Sequence, residues 1–256
     1  MTGDDHALAR DLAVLAGRRL LDLRAQGGDQ DVLRKAGDRL SHEFLTAALV
    51  GQRPGDVVLS EEGADNPARL GADRVWIVDP LDGTREFGEP GRTDWAVHVA
   101  LWERTGDGSG DLTAGAVALP AQGTVLSTAE PPPGLPGDEA PTRIRIVVSR
   151  SRPPSFVRDI SGLINAELVP LGSAGAKVAA VICGEVDAYV HGGGFYEWDT
   201  AAPVAVARAA GLHASRTDGS ALAYNQPDLL MPDILVCRPA VAGILLRAIR
   251  EVTHAS

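Results

Sequence analysis

Two aspartates that could bind a metal ion, Asp79 and Asp82, lie directly after an apolar run of four residues, Val75 to Val78. Four consecutive β-branched or aromatic residues are typical of a strand that is buried on both faces. Because Pro80 has no N–H group, we predict that the strand ends there and that the chain turns. Two carboxylates this close repel each other unless a cation lies between them.

The residues around this acidic pair indicate which cation and which partner the site would take. No Cys or His lies beside the pair, and ligands that are all oxygen atoms favour a hard ion, Mg²⁺ first. Gly83 permits a tight backbone, and Thr84 offers a hydroxyl at a predicted helix start, where N–H groups could hold a phosphate. An Asp-Pro turn followed by an Asp-Gly turn at the surface would use the same residues. We favour the metal site, because turn chemistry requires neither the apolar run nor the threonine.

Two other acidic points lie at the end of a predicted strand or the start of a predicted helix. Glu61 and Glu62 follow a short strand over residues 57–59, and Asp199 begins an apolar helix. Taken alone, the first pair is typical of a solvated loop, and Asp199 is equally typical of a helix cap. Together with Asp79 and Asp82 they could hold hard cations in a two-metal arrangement, with ions roughly 3.5–4 Å apart.

The first half of the chain predicts two helices and an antiparallel sheet to position these residues. An apolar stripe predicts a helix over about residues 6–26, and Asp38 is predicted to cap a second helix that ends near Gly51. Alternating residues predict strands over 95–102, 112–119 and 123–127. The two helices would pack on this sheet in an α+β arrangement.

The second half alternates strands and helices, which indicates an α/β layer arrangement. The Pro-rich segment 129–142 is typical of a linker or exposed loop, so we place the domain boundary there. Residues 1–132 would form an N-terminal domain with most of the metal ligands, and residues 140–256 would form a C-terminal domain that supplies Asp199 and substrate contacts. The predicted strands are 144–148, 168–171, 186–190 and 234–236, and the predicted helices are 154–163, 173–183, 198–210 and 240–252.

Composition restricts the partners of this 256-residue chain. Its formal net charge is −10, which disfavours a nucleic acid polymer or an anionic membrane, since each calls for a basic face. A small anionic substrate remains compatible if a bound cation reverses the local field.

The first residues are acidic and no long apolar run follows, so we predict a cytoplasmic protein without a membrane span. Cys183 and Cys237 lie in apolar stretches and are predicted to be buried thiols.

Four segments of the chain resemble the inositol monophosphatase family in sequence, order and spacing: SEE, DPLDGTREF, GSAGAK and WDTAAP. The resemblance covers nearly the whole chain and implies a layered α/β/α/β/α sandwich with Mg²⁺-dependent, lithium-sensitive phosphatase activity. Two departures from the inositol phosphatases, Arg85-Glu86-Phe87 and Lys177, make the chain most similar to the CysQ-type branch, whose members hydrolyse 3′-phosphoadenosine 5′-phosphate.

The resemblance also implies roles for individual residues. Two to three Mg²⁺ ions would be held by Glu61, Asp79, the carbonyl of Leu81, Asp82 and Asp199. Thr84 and Asp38 would orient and deprotonate the attacking water, with Glu61 as a third catalytic group through a weaker ion. Substrate contacts would come from Gly83, Thr84, Arg85, Gly172, Ser173, Lys177 and Glu197.

Lys177 is expected to contribute to the preference for a nucleotide bisphosphate. It is one of only two lysines and follows a glycine-rich helix start, which favours contact with a second phosphate, although a lone lysine is usually solvated. Arg85 is the competing candidate for that phosphate. His98, in an alternating strand, is predicted to be a packed histidine rather than a ligand.

Three kinds of function remain open from the sequence. The leading hypothesis is hydrolysis of 3′-phosphoadenosine 5′-phosphate to AMP and phosphate, in sulfate assimilation. The close alternative is an inositol-1-phosphatase or fructose-1,6-bisphosphatase, with or without broad specificity, because the metal site alone does not set the substrate. A non-catalytic sensor or scaffold is disfavoured by the complete set of acids and Thr84. A homodimer is compatible with each of these functions.

Overall fold

The computed structural model describes residues 4–134, 139–151 and 153–254. Its helices are α1 (Asp5–Ala25), α2 (Gln30–Gln52), α3 (Thr84–Gly88), α4 (Ser155–Ile164), α5 (Ala174–Ile182), α6 (Glu197–Ala209) and α7 (Pro239–His254). Its strands are β1 (Val57–Ser60), β2 (Arg74–Asp82), β3 (Ala96–Arg104), β4 (Gly110–Leu119), β5 (Thr124–Ser127), β6 (Arg145–Ser149), β7 (Glu167–Leu171), β8 (Ala188–His191), β9 (Phe195–Tyr196), β10 (His213–Ser215), β11 (Leu230–Met231) and β12 (Ile234–Cys237).

The strands form two five-stranded sheets and a small two-stranded ribbon. The first sheet has the order β1-β2-β3-β4-β5, with β1 and β2 parallel and the other pairs antiparallel. The second has the order β10-β12-β8-β6-β7, and β9 pairs with β11 in the ribbon. The predicted pairing of the strands over 95–102 and 112–119 is confirmed by the register of β3 with β4.

Helices cover both faces of each sheet and produce five layers. Helices α1 and α2 pack on one face of the first sheet, while α5 and α6 cover its other face. Helix α5 also packs against β6, β8 and β12 of the second sheet, whose far face buries α4 and α7. The predicted α/β/α/β/α sandwich is therefore confirmed. One apolar cluster lies under each outer helical layer, and a third surrounds the central layer of α5 and α6, as expected when both sheets are buried on both faces.

The central layer connects the two halves of the sequence. One apolar cluster includes Leu59 and Val75 from the first half together with Val147 and Val178 from the second. The division into domains 1–132 and 140–256 stays a prediction. Within the predicted linker 129–142, the described residues form no helix or strand, and residues 135–138 lie outside the described ranges.

Two predicted boundaries near the candidate site are wrong. Strand β2 continues through Pro80 to Asp82, because a register shift between Asp79 and Asp82 takes the proline out of the ladder with β3. Helix α2 begins at Gln30 rather than near Asp38, since the Asp29 side chain accepts hydrogen bonds from the N–H groups of Asp31 and Val32. Asp38 therefore lies inside the helix.

Two other predictions concern the cysteines and the membrane. Both cysteines are free, as predicted, and Cys237 is buried, but Cys183 is exposed because it follows the last residue of α5. Within the described ranges, no helix has both the length and the apolarity that crossing a membrane would need.

Candidate active site

The irregular end of β2 places two acids beside each other. Val75 to Asp82 are all buried, and Asp79 lies opposite His98 of β3 while Asp82 lies opposite Ala96. The side chain of Asp79 accepts a hydrogen bond from the Leu81 N–H at 3.1 Å, which fixes the local turn. A bulge of this kind redirects side chains at the end of a strand. The pattern that predicted a turn after Pro80 therefore marks a bulge.

Asp199 joins this pair from the other half of the chain. It lies in the first turn of α6, where its Oδ2 accepts a 2.6 Å hydrogen bond from the N–H of Tyr196. One carboxylate oxygen from each of Asp79, Asp82 and Asp199 lies within 4.8 Å of the other two. The fold thus brings together the three aspartates that we proposed from the sequence as metal ligands. We call these three residues the acidic cluster.

Glu61 lies at the rim of the same cluster. Its N–H donates to the carbonyl of Val78 at 3.2 Å, because β1 runs parallel to β2 and ends beside it. The side chain is exposed at the surface, but its carboxyl group faces Asp79. Loss of solvation, followed by the negative charge of Asp199, raises the pKa of Glu61 to about 7.

The electrostatics of this cluster fit a hard divalent cation. Burial is the main cause that raises the pKa of Asp79 well above its ordinary value, and the charges of Glu61, Asp82 and Asp199 act in the same direction. Burial and Asp82 also raise the pKa of Asp199 to about 7. Carboxylates that destabilise each other in this way are stabilised by a cation between them, and an all-oxygen donor set matches Mg²⁺. The residues present therefore fit the ion that the sequence predicted.

The start of α5 holds Asp82 in place. Asp82 Oδ2 accepts hydrogen bonds from Ser173 Oγ at 2.5 Å and from the N–H of Gly175 at 2.6 Å. Ser173 has a φ of 52°, an uncommon conformation for a residue with a side chain. Gly83 has a φ of 82°, and a Cβ there would lie 3.1 Å from that of Ser173. These two backbone conformations allow β2 and α5 to meet at the cluster.

Thr84 and Asp38 form a pair beside the metal ligands. Thr84 Oγ1 lies 3.2 Å from Asp38 Oδ1 and 3.0 Å from the carbonyl oxygen of Leu81, and it can donate its single proton to either. Burial, followed by the charge of Glu62, raises the pKa of Asp38 to about 6. A carboxylate with such a pKa can accept a proton at neutral pH. The pairing proposed from the sequence is present, although Asp38 lies inside α2 rather than at its cap.

A cavity of about 470 Å³ opens beside Asp82 and Asp199. Lys177 lines it, is only 5% exposed, and donates from Nζ to the carbonyl oxygen of Ser173 at 2.6 Å. Burial lowers the pKa of Lys177, while nearby carboxylates, Asp82 first, act in the opposite direction. The rest of the lining includes the aromatic residues Phe156, Tyr189, His191 and Phe195 and the glycines Gly192, Gly193 and Gly194.

Two of the seven predicted substrate residues, Ser173 and Lys177, line this cavity, and the other five, which are Gly83, Thr84, Arg85, Gly172 and Glu197, do not. Arg85 is exposed on α3 and does not line it. The N–H of Gly172 donates to Asp94 rather than facing the cluster. Glu197 is fully buried, and both of its carboxylate oxygens accept N–H groups of residues 225 and 226, at 2.6 and 2.7 Å. Glu197 therefore holds the 225–226 loop, and both of its carboxylate oxygens have partners within the protein.

Sequence patterns missed two features of this site. The aromatic wall of the cavity comes from α4, β8 and β9, and no local motif connects these segments. His98 lies within 3.3 Å of Asp82 although no motif marks it. Its position opposite Asp79 depends on the register of β2 with β3, which the sequence did not determine.

Comparisons with known proteins give matches over nearly the whole chain. The model of the inositol monophosphatase family matches residues 8–254. A 3′-phosphoadenosine 5′-phosphate phosphatase of Mycobacterium leprae is 53% identical, with 97% of this chain and 94% of the relative covered. The 3′(2′),5′-bisphosphate nucleotidase CysQ of Escherichia coli is 32% identical, with 84% and 87% covered.

Solved structures show the same fold. Inositol monophosphatase II of Staphylococcus aureus superposes with a TM-score of 0.82 at 20% identity, with 98% of this chain and 96% of that one covered. CysQ of Bacteroides thetaiotaomicron superposes with a TM-score of 0.74 at 28% identity, with 91% and 97% covered. The arrangement of layers described above is thus shared with these proteins.

Proposed function

The chain belongs to the inositol monophosphatase family, and from this premise we propose that it is a Mg²⁺-dependent phosphatase that hydrolyses 3′-phosphoadenosine 5′-phosphate to AMP and phosphate. The observation that supports a phosphatase most directly is the convergence of Asp79, Asp82 and Asp199 beside the pair of Thr84 and Asp38. The choice of substrate is supported by the 53% identity to a phosphatase of that name. A place in sulfate assimilation follows from this substrate.

The residues proposed to hold the ions are those at the cluster. Asp79, Asp82 and Asp199 offer carboxylate oxygens, Glu61 offers one from the rim, and Leu81 offers its carbonyl oxygen. When bound, Mg²⁺ supplies Lewis-acid activation of water and neutralises phosphate charge. Two to three ions are proposed, as are a cytoplasmic location and a homodimer.

The chain's own residues are proposed to handle the proton of the attacking water. The water oxygen attacks the 3′-phosphorus, and the bond from phosphorus to the 3′-oxygen breaks. The leaving oxygen takes up a proton from solvent to become the 3′-hydroxyl of AMP, and Asp38 later releases the proton of the attacking water to solvent. Thr84 Oγ1, which can donate to Asp38, has lone pairs with which to accept a proton from the water. Asp38 is then the final acceptor, since burial has raised its pKa to about 6.

The cavity beside the cluster suits the remainder of a nucleotide bisphosphate. Lys177 supplies a buried cation that could meet the second phosphate, and it lies near N–H groups at the start of α5. Phe156 and Phe195 supply apolar aromatic surface for a base. Inositol-1-phosphate would leave both features without a partner.

A phosphate-release assay with Mg²⁺ on three substrates tests this proposal. We expect kcat/KM to be highest for 3′-phosphoadenosine 5′-phosphate. The margin over inositol-1-phosphate, which has no second phosphate, should be about tenfold or more, which is what one charge-assisted contact contributes. Fructose-1,6-bisphosphate has a second phosphate but no base, so its lower kcat/KM would come from the unused aromatic surface of the cavity. We also expect Li⁺ to inhibit the reaction. Equal or better hydrolysis of another substrate would contradict the proposed specificity. Undiminished turnover in EDTA would contradict the metal mechanism itself.

Lys177→Met is expected to reduce kcat/KM for the nucleotide bisphosphate by roughly ten- to a hundredfold, because a charge-assisted contact contributes about 1.5–3 kcal/mol. Methionine keeps an unbranched apolar side chain. The change therefore removes mainly the charge, which lies 5.4 Å from the centroid of the Tyr189 ring. The loss on inositol-1-phosphate, which has no second phosphate, should be smaller. Arg85→Met is the matched control for the competing cation. Equal losses on both substrates after Lys177→Met would show that Lys177 serves the common site.

A further inference from the structure

Glu86 belongs to the segment Arg85-Glu86-Phe87 that sets this chain apart from the inositol phosphatases, and the proposed function does not use it. It lies on α3, two residues after Thr84, and is only 6% exposed. Arg150, which follows the last residue of β6, donates from Nη2 to Glu86 Oε1 at 2.7 Å. The same nitrogen donates to Glu89 Oε1 at 3.0 Å. One guanidinium group therefore joins α3 of the first half to the second sheet.

The carboxyl group of Glu86 also rests on the backbone at the end of β7. A Cβ at Gly172 would lie 2.3 Å from Cδ of Glu86, so glycine is required at this close approach. Strand β7 runs parallel to β6, and the N–H of Arg150 donates to the carbonyl oxygen of Leu171 at 3.0 Å. Glu86 is thus held between Arg150 and Gly172, at the point where β6 and β7 both end.

The chain neighbours of these two residues line the cavity beside the acidic cluster. Ser149 directly precedes Arg150, Ser173 directly follows Gly172, and both serines belong to the cavity lining. The carbonyl oxygen of Ser173 also accepts the 2.6 Å hydrogen bond from Lys177 Nζ. Among the described residues of the lining, neither Glu86 nor Arg150 is present. Any effect of the pair on a bound molecule therefore acts through the cavity wall.

We infer that Glu86 and Arg150 are positioning residues that hold this wall at a fixed distance from the acidic cluster. Glu86 lies four residues after Asp82, and Arg150 is attached to the wall, so the ion pair fixes one against the other. The pair thereby contributes to the preference for a nucleotide bisphosphate, which must contact the cluster and the wall at the same time. The inference rests on the proposed function, since it assumes that such a substrate occupies the cavity.

The consequence of breaking the pair follows from the burial of Glu86. A buried carboxylate that loses its cation is left with an uncompensated charge, which is strongly unfavourable. We expect the carboxylate to turn toward water and to release its contact with Gly172. The wall would then no longer align with the second phosphate or the base. The side chain of Arg150 is 31% exposed, so its substitution should leave the fold intact.

Calorimetric titration with AMP in EDTA tests the inference without metal and without turnover. AMP carries the base and the 5′-phosphate but no 3′-phosphate, so its Kd reports on the cavity. Arg150→Met removes the charge and keeps an unbranched apolar side chain. We expect its Kd for AMP to rise by roughly tenfold, which is about what one misaligned charge-assisted contact costs. Glu86→Ala should give a similar rise. Glu86→Gln keeps an acceptor oxygen and the volume, so it should recover part of the affinity.

Steady-state kinetics separate positioning from a general structural role. In Arg150→Met we expect KM for 3′-phosphoadenosine 5′-phosphate to rise by the same factor as the Kd for AMP, with kcat retained. KM for inositol-1-phosphate, which has neither a base nor a second phosphate, should rise less. An equal rise of KM on both substrates, or a fall in kcat alone, would overturn the inference.

Glu89→Gln is the matched control, because Glu89 shares the guanidinium group of Arg150 but its side chain is 30% exposed. We expect it to leave the Kd for AMP unchanged. A wild-type Kd in Arg150→Met, or a rise in Glu89→Gln as large as that in Arg150→Met, would overturn the inference and leave the proposed function standing. If the wild-type protein itself bound no AMP, the proposed nucleotide specificity would fail together with the inference.

Discussion

Asp82→Asn is expected to reduce phosphate release by on the order of 10³-fold or more, at the upper end of what removing one electrostatic group costs in an active site. Asp82 lies near Asp79 and Asp199, and it accepts hydrogen bonds from Ser173 Oγ and the N–H of Gly175. The substitution removes one negative charge where the proposed ions would bind. The size of the side chain hardly changes, because an NH₂ group replaces one carboxylate oxygen.

The same substitution is expected to leave the fold intact and to raise the free energy of unfolding of the metal-free protein. Asparagine keeps a carbonyl oxygen that can accept the hydrogen bonds from Ser173 Oγ and the Gly175 N–H. Without a cation, the charge of Asp82 raises the pKa values of Asp79, Asp199 and Glu61, so its removal relieves repulsion in the folded state. Urea denaturation in EDTA measures this change.

Asp187→Asn is a suitable control for Asp82→Asn. Asp187 is also buried, but it precedes β8, at the end of that strand away from His191, where it pairs with Arg145 and Arg238. Its substitution should lower stability and preserve phosphate release. Near-wild-type activity of Asp82→Asn would show that Asp82 is only a turn residue. If Asp82→Asn lowered the free energy of unfolding of the metal-free protein as much as Asp187→Asn does, the argument that Asp82 repels the neighbouring acids would be contradicted.

The elements that position the site could largely be predicted from local patterns. The apolar stripe of α1 and the alternation of β3 and β4 are strong periodic signals, and the structure confirms them. The predicted start of α2 was wrong because Asp29 and Asp38 are both good capping residues, and the segment between them has little apolar periodicity. Short strands such as β9, β10 and β11 have two or three residues, too few for a pattern.

The candidate site could be predicted where its residues lie in specific motifs, and not where they depend on tertiary contacts. Asp79, Asp82 and Asp199 were recognised because each belongs to a short segment with a known order in the family. Glu197 directly precedes such a segment, yet its carboxylate accepts hydrogen bonds from the 225–226 loop, which no motif indicates. His98 required the strand register, and a one-residue change of register would have turned it to the opposite face.

Thr84→Ala is expected to lower kcat by on the order of 10²–10⁴-fold while changing KM little, because proton transfer in the transition state typically contributes that much. The hydroxyl of Thr84 lies 3.2 Å from Oδ1 of Asp38 and 3.0 Å from the carbonyl oxygen of Leu81, which is one of the proposed metal ligands. Alanine removes the hydroxyl and leaves Asp38 without a connection to the attacking water. Steady-state kinetics on 3′-phosphoadenosine 5′-phosphate at saturating Mg²⁺ give both constants.

Two further variants distinguish proton transfer from other roles of Thr84. Thr84→Ser keeps the hydroxyl, so it should recover most of kcat, whereas a packing role would depend on the lost methyl group. Asp38→Asn should lower kcat to a similar extent as Thr84→Ala, and the double variant should be little worse than either, since residues that act as a unit give non-additive losses. If instead KM rose while kcat stayed constant, Thr84 would bind substrate, and the proton would have to leave the water by another route, through Glu61 at the rim of the cluster.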